Sequence, residues 1–217
     1  MVIIPKLDPF PHAIIDGHFP NWLLDKVLDE FPPPDAPWRR YGGENEQGKA
    51  EGSNPAMWGE YTCDVLSYLV SDPGWLAALC DAFHIEKLVG DTIGGGYHQI
   101  ETGGRLGVHV DFNRHPSTGS HRRLNCLVYL NHDWQESYGG ALELHGEDGS
   151  QIDVAPTSYG KDLMISVRRR DITQGSIGFT ARGQRVYKEN DTTVAYRKAV
   201  TTATGLASQV ITDLNTV

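Results

Sequence analysis

The sequence predicts an α+β protein that is mainly β, with its helices first and its strands later. Two segments before residue 84 carry apolar residues at helical spacing, and eight short apolar runs separated mostly by Gly, Asn and Asp follow residue 104. A chain of 217 residues with 39% hydrophobic content can bury the core of one good-sized domain. These observations predict a sandwich or barrel packed against two helices.

The first predicted helix covers residues 21–31 (NWLLDKVLDEF). Asn21 is a favourable N-cap, and the prolines at 32–34 end the helix because proline cannot continue one. The apolar residues at helical spacing are Trp22, Leu24, Val27, Leu28 and Phe31.

The second predicted helix covers residues 72–83 (DPGWLAALCDAF). Asp72 occupies the N-cap position and Pro73 the first turn, where its missing N–H has no consequence. Between the two helices, the polar stretch at 41–55 (YGGENEQGKAEGSNP) predicts a long loop.

The strands are expected in the remainder of the chain, at regular short spacing. They are RLGVHVDF (105–112), LNCLVYL (124–130), ALELH (141–145), SQIDVA (150–155), LMISVR (163–168), SIGFTA (176–181), QRVYKE (184–189) and TTVAYRKAV (192–200).

Charge and composition exclude several classes of protein. A net charge of -9 argues against nucleic acid as the main partner, because phosphate contacts need clustered Lys and Arg. No apolar run approaches the eighteen residues of a membrane span, and the N-terminus lacks the features of a signal peptide. Three cysteines without a disulfide or zinc spacing predict a reducing compartment, the cytoplasm.

The composition changes near residue 156. Residues 1–155 carry 10 basic and 23 acidic side chains, whereas residues 156–217 carry 9 and 5. Every His, Trp and Cys lies before residue 146, and no Pro follows Pro156. A break of this kind predicts two domains, 1–155 and 156–217.

His109 and Asp111 form a candidate metal site. They lie two residues apart on a predicted strand, whose alternation would place both side chains on the same face. An imidazole and a carboxylate, completed by a second imidazole, form the facial triad of non-haem iron oxygenases. The motif alone is weak, since an ordinary pair of strand residues would look the same.

The surrounding sequence, residues 94–148, resembles the prolyl 4-hydroxylase-like branch of the iron- and 2-oxoglutarate-dependent dioxygenases. The resemblance rests on His109 and Asp111, the strand LNCLVYLN, the DW at 133–134 and the YGG turn before LEL, and it extends over about residues 1–155. It implies a double-stranded β-helix (jelly-roll, cupin-like), Fe²⁺, 2-oxoglutarate and hydroxylation of a C–H bond, with ascorbate as a candidate reductant. The implied substrate is a peptidyl residue or a small molecule.

Beyond these residues, the chain departs from the family pattern. That pattern needs a third ligand, a His on a later strand, followed by an Arg or Lys that binds the distal carboxylate of 2-oxoglutarate. No histidine follows His145, which is only 36 residues beyond His109, so His145 is a weak third-ligand candidate. The run of arginines at 168–170 offers no clear anchor, because adjacent strand residues point to opposite faces. We therefore expect an incomplete β-helix with weak iron binding.

Residues 157–200 resemble a second family, the prohead (head maturation) proteases of tailed phages. The markers are TSYGKDL, RRRDITQGSIGF, GQRVYKE and TVAYRKAV, and Ser176 stands in the position of the family's nucleophile. A serine nucleophile needs a general base, and the strand that would supply its histidine is missing. We therefore favour an ordinary strand residue over a working nucleophile at Ser176.

Three hypotheses remain open from the sequence. The chain is an oxygenase whose last strands come from the C-terminal part, a hybrid phage reading frame without a complete active site, or a maturation protease with an oxygenase-like appendage. If the chain is phage-encoded, the compartment is the host cytoplasm. Its oligomeric state cannot be read from the sequence.

Overall fold

The computed structural model describes residues 2–8, 10–109, 114–132, 137 and 140–145, and the strands at 151–154, 163–167, 176–180 and 207–216. Three α-helices lie within these ranges: α1 (Asn21–Asp29), α2 (Glu60–Ser71) and α3 (Pro73–Phe83). A 3₁₀ turn covers Pro55–Met57. None of the helices in the described ranges has the length and apolar content needed to span a lipid bilayer.

Within the described residues, ten strands form one hydrogen-bonded network. They are β1 (His12–Ile15), β2 (Arg39–Gly42), β3 (Glu46–Gly52), β4 (Val89–Leu106), β5 (His121–Tyr129), β6 (Leu142–His145), β7 (Gln151–Val154), β8 (Leu163–Val167), β9 (Ser176–Thr180) and β10 (Ala207–Thr216). The order is β1-β8-β5-β10-β4-β9-β6-β7, and the β2–β3 hairpin joins β4.

The long strand β4 belongs to both halves of this network. Its first part pairs with β10, and its last residues, Arg105 and Leu106, pair with Thr180 and Phe179 of β9. The pairs around β4 are antiparallel. The strand thereby connects the major half, β1-β8-β5-β10-β4, with the minor half, β9-β6-β7.

The buried apolar residues form two separate clusters. The helix-side core packs the three helices against the major half and includes Val27, Leu66, Leu79, Tyr97 and Leu124. The inner core lies on the other face and comprises Phe10, Ile100, Leu106, Leu127, Tyr129, Leu142 and Leu144. The alternation along β5 produces this division, because successive strand residues point to opposite faces.

The sequence prediction for the helices is correct for α3 and partly wrong elsewhere. Asp72 caps α3 by accepting a hydrogen bond from Trp75 N at 2.7 Å. For α1, the N-cap is Pro20, and Asn21 is the first residue of the helix. No side chain caps this helix with a hydrogen bond. The helix α2 was not predicted, although its buried residues Thr62, Val65, Leu66 and Leu69 follow helical spacing.

The predicted loop at 41–55 is wrong. Residues 39–42 and 46–52 form the β2–β3 hairpin, which pairs with β4. The sequence looks polar because only the end of β3 is buried, from Ala50 to Gly52. The pairing partner is distant in sequence, so no local pattern reveals this strand.

The predicted strands at 124–130, 141–145, 150–155, 163–168 and 176–181 are confirmed, with ends that differ by at most three residues. The runs at 184–189 and 192–200 lie outside the described residues. The prediction of a strand over 105–112 is wrong at residues 107–109, because β4 ends at Leu106, and residues 110–112 lie outside the described residues.

The strands after residue 156 pair with strands that precede it. β8 lies between β1 and β5, β9 between β4 and β6, and β10 between β4 and β5. The division of the chain at residue 156 into two domains stays a prediction about composition and ancestry. In the described strands, both parts contribute to the same sheet.

We predict that a chain ending at residue 156 does not fold. Without β10, the strands β4 and β5 lose the neighbour that they share, and β1 loses its partner β8. Circular dichroism should then show no cooperative thermal transition, while the full chain shows one. A cooperative transition of the short chain at the full chain's midpoint would contradict the shared sheet.

One carboxylate joins α1, α2 and β4. Glu30 follows α1 and accepts hydrogen bonds from Tyr61 N (3.0 Å) and from Thr62 N and Oγ1 (both 2.8 Å) at the start of α2. The Thr62 hydroxyl also contacts the hydroxyl of Tyr97 on β4. Position 59 is glycine because a Cβ there would lie 2.1 Å from Glu30 Cδ.

We predict that Glu30→Ala lowers the free energy of unfolding by about 2–3 kcal/mol, because three hydrogen bonds to a charged group are lost. The matched control is Asp29→Ala, which removes a neighbouring carboxylate whose ion pair with Lys26 is exposed and 3.9 Å long. The control should change stability by less than about 0.5 kcal/mol. If urea denaturation showed that the two variants lose the same free energy of unfolding, Glu30 would have no special role.

Candidate functional site

His109 lies three residues beyond the end of β4, where the chain leaves the sheet. Gly107 N donates a hydrogen bond to Asn45 O at 2.6 Å, which holds this turn against the β2–β3 hairpin. The Nδ1 atom of His109 lies 2.8 Å from Gly107 O. Since a carbonyl only accepts, Nδ1 carries the proton and Nε2 carries the lone pair. A metal-binding histidine is commonly oriented by a hydrogen bond of this kind.

Asp111, the second predicted ligand, lies outside the described residues. The third candidate, His145, is the last residue of β6. Leu142 and Leu144 of this strand are fully buried in the inner core, so Glu143 and His145 lie on the opposite face. His145 Nε2 donates to Glu143 Oε2 at 3.0 Å. In this arrangement Nε2 is bonded to a carboxylate rather than offered to a metal.

Ser176 is the first residue of β9 and pairs with His145. The next residue, Ile177, pairs with the fully buried Leu144, and Phe179 pairs with Leu106 of the inner core. The sequence of β9, SIGFT, contains no histidine or carboxylate. The register places Ser176 opposite His145, whose ring is bonded to Glu143, but the Ser176 side chain lies outside what the structure describes, so its assignment as a nucleophile stays a prediction.

The strand that follows, β10, contains no Lys or Arg in its ten residues, ASQVITDLNT. The described later strands therefore supply neither a third imidazole nor a basic anchor for a dicarboxylate. Arg168, Arg169 and Arg170 lie outside the described residues.

An iron ion needs several ligands from side chains that lie close together. Within the described ranges, no group of three His, Cys, Asp or Glu side chains is gathered to hold a metal. His109 fits the role of a ligand by its orientation, and it is the one predicted ligand for which a fitting geometry is described. The described residues alone do not complete an iron site.

A row of polar residues crosses the major half beside the inner core. In register from β5 to β3 it contains Tyr129, Gln209, His98 and Glu51. The Tyr129 hydroxyl is buried without a hydrogen-bond partner, and burial raises the pKa of this phenol. His98 is 8% exposed, and its Nε2 lies 3.2 Å from Gly94 O.

Glu51 contributes a buried negative charge to this row. Its burial favours the neutral acid, but hydrogen bonds from Ser53 and Tyr41, with His98 and Arg39 nearby, lower the pKa of Glu51 below its ordinary value. The row therefore combines an unpartnered phenol donor with a charged carboxylate. The sequence did not reveal it, because Glu51 falls in the stretch predicted as a loop.

Comparison with known proteins supports one of the two resemblances. Residues 95–198 match the model of the 2OG-Fe(II) oxygenase superfamily, a range that runs across residue 156. No comparison supports the resemblance of residues 157–200 to prohead proteases. No curated protein matches this chain.

Solved structures of prolyl hydroxylases are similar to most of the chain. A Pseudomonas putida prolyl-4-hydroxylase has 14% identity and a TM-score of 0.64, covering 95% of this chain and 92% of that one. A Trichoplax adhaerens prolyl hydroxylase, in complex with a peptide fragment of the hypoxia inducible factor oxygen degradation domain, has 12% identity and a TM-score of 0.59, covering 94% and 83%.

A viral collagen prolyl hydroxylase from Paramecium Bursaria Chlorella virus-1, in complex with 2OG, has 12% identity and a TM-score of 0.57, covering 97% of this chain and 99% of that one. At these identities the likeness shows the fold, which is a double-stranded β-helix. Together with the family match, it supports an oxygenase of this superfamily.

Proposed function

We propose that this chain is, by ancestry, an iron- and 2-oxoglutarate-dependent dioxygenase of the prolyl 4-hydroxylase-like type with impaired activity. The observation that carries the proposal is the position of His109. It follows β4 in a double-stranded β-helix, within the range matched by the superfamily model, and Gly107 O orients its ring. Fe²⁺ and 2-oxoglutarate are the cofactor and co-substrate that this superfamily implies.

The proposed iron ligands are His109 and Asp111. Two protein ligands leave four positions of a six-coordinate ion to water, so affinity should be low. His145 is a poor third ligand because its Nε2 donates to Glu143. The superfamily's reaction consumes O₂: one oxygen atom enters succinate as 2-oxoglutarate loses CO₂, and the other is inserted into a substrate C–H bond.

The substrate class we propose is a peptidyl residue or a small molecule, with ascorbate as a reductant. The peptide bound to the Trichoplax enzyme supports the first class. A further similar structure, HygX from Streptomyces hygroscopicus with hygromycin B bound, supports the second. We propose the cytoplasm as the compartment, that of the host cell if the chain is phage-encoded.

We predict weak Fe²⁺ binding and little succinate release from the parent chain. The measurement is an anaerobic ferrous titration followed by a succinate assay with 2-oxoglutarate, on the parent, His109→Ala and His145→Ala. Iron affinity should fall further in His109→Ala, by more than the 10- to 100-fold typical of losing a group that supports a ligand. His145→Ala should leave it unchanged and serves as the matched control.

Two outcomes would overturn this assignment. Ordinary turnover that His145→Ala abolishes would make His145 the third ligand. An inactive parent in which His109→Ala changes no iron affinity would favour the hybrid reading frame without a complete active site.

A further inference from the structure

The arginine at position 123 lies on the inner-core face of β5. Leu124 belongs to the helix-side core, so Arg123 and Asn125 point to the opposite face, which also carries Leu127 and Tyr129. Arg123 is half-buried, and its Nε atom is buried with no hydrogen-bond partner. Among the described residues, no carboxylate forms an ion pair with it. A guanidinium is always charged, so its burial without a counter-charge is unfavourable.

A β-bulge sets the direction of this side chain. Along the pair of β5 and β10, Leu124 lies opposite Leu214, and the next paired residues are Arg122 and Asn215. Arg123 is therefore the extra residue of β5, at the point where the register shifts. Bulges are frequent beside active sites, where they re-aim a side chain. Together with the missing partner, the bulge indicates a ligand rather than a structural ion pair.

Asn125, two residues further along the same face, supplies more hydrogen-bonding groups. It is 4% exposed, its Oδ1 atom has no hydrogen-bond partner, and an asparagine amide carries two N–H donors. Alternate residues of a strand lie about 7 Å apart, so the Arg123 guanidinium and the Asn125 amide can reach one small group. In register, the row of Asn125 continues to Ser166 on β8 and to Asp213 on β10.

The segment that leads into β5 is positively charged. Residues 114–123 (RHPSTGSHRR) contain three Arg and two His and no Asp or Glu, in a chain whose net charge is -9. Within it, His115 already has a partner, since its Nε2 lies 3.6 Å from Asp91 Oδ2. Arg114 pairs with His121, so the start of β5 lies beside the chain that follows the proposed iron ligands. A local positive potential of this kind attracts an anion.

We propose that Arg123 and Asn125 bind a carboxylate group of the substrate, which makes the substrate of this chain an acid. The planar guanidinium fork matches a carboxylate, and the Asn125 amide donates to the same group. One arginine balances the single charge of a carboxylate, whereas a phosphate carries about two charges. That the bound acid is the substrate rests on the proposed function, whereas its binding at Arg123 does not.

The test follows the Nε–H signal of Arg123 in ¹H–¹⁵N NMR spectra of the full-length chain, without metal or 2-oxoglutarate. The signal that is lost in Arg123→Lys assigns it. The probes are glutarate, a free dicarboxylate, and a capped tripeptide with a central glutamate. We expect a saturable shift of this signal with a carboxylate probe and none with the tripeptide that has a central glutamine. The tighter probe shows whether the acid is a small molecule or a peptidyl side chain.

Substitutions separate a bound carboxylate from general charge attraction. Arg123→Met keeps the apolar stem and removes the fork, and should weaken binding of the tighter probe more than about 10-fold. Asn125→Leu should weaken it by about 3- to 10-fold. Affinities of the variants are measured from the backbone amide shifts of residues 121–129. The matched control is Arg40→Met, which removes the same charge from an exposed ion pair with Glu101 and should change affinity less than about 2-fold.

Stability gives a readout that a structural role of Arg123 would not share. Without a described partner to lose, ligand-free Arg123→Met should melt no lower than the parent chain, and the tighter probe should raise the melting temperature of the parent alone.

The proposal is overturned if ligand-free Arg123→Met melts lower than the parent, because an internal carboxylate such as Asp213 would then already pair with the guanidinium. It is equally overturned if no carboxylate probe shifts the Arg123 signal, or if Arg123→Met binds the tighter probe as well as the parent does. The titrations contain no iron, so a failure of the proposed oxygenase activity leaves their result unchanged.

Discussion

The insertion of β10 between β4 and β5 is the pairing on which the rest of the structure depends. Its residues 207–215 pair with β4, and residues 209–216 pair with β5. In the described strand order, β4 and β5 are joined only through β10. The strand that completes the sheet is the last of the described strands, and the loop-closure cost of bringing it back is recovered only when both its edges are paired.

This constraint also determines what the candidate site contains. Since β4 is held along its first part by β10 and at its end by β9, the turn that follows Leu106 carries His109 to the minor half. Of the neighbouring strands, β9 (SIGFT) carries no imidazole or carboxylate, and on β6 the imidazole of His145 is bonded to Glu143 on the face opposite the inner core. A fold that positions one ligand well therefore does not by itself assemble a metal site, because the ligand types come from individual residues.

Local patterns predicted part of this structure, and long-range pairing accounts for the rest. Asp72 and Pro73 located the start of α3 because capping involves only the first turn of the helix. The β2–β3 hairpin was missed because its polar sequence becomes a strand only by pairing with β4. His109 was accessible as a motif, whereas the rows that contain Glu51 and Asn125 depend on the register of strands far apart in sequence. Such a register cannot be read from the chain.

Amide hydrogen exchange measured by NMR can show whether β10 and β5 belong to one cooperative unit. We expect the hydrogen-bonded amides of residues 207–216 to exchange only with global unfolding, at the same free energy as those of residues 121–129. Rapid exchange of residues 207–216 while residues 121–129 stay protected would contradict it, because the two strands would then not share a sheet.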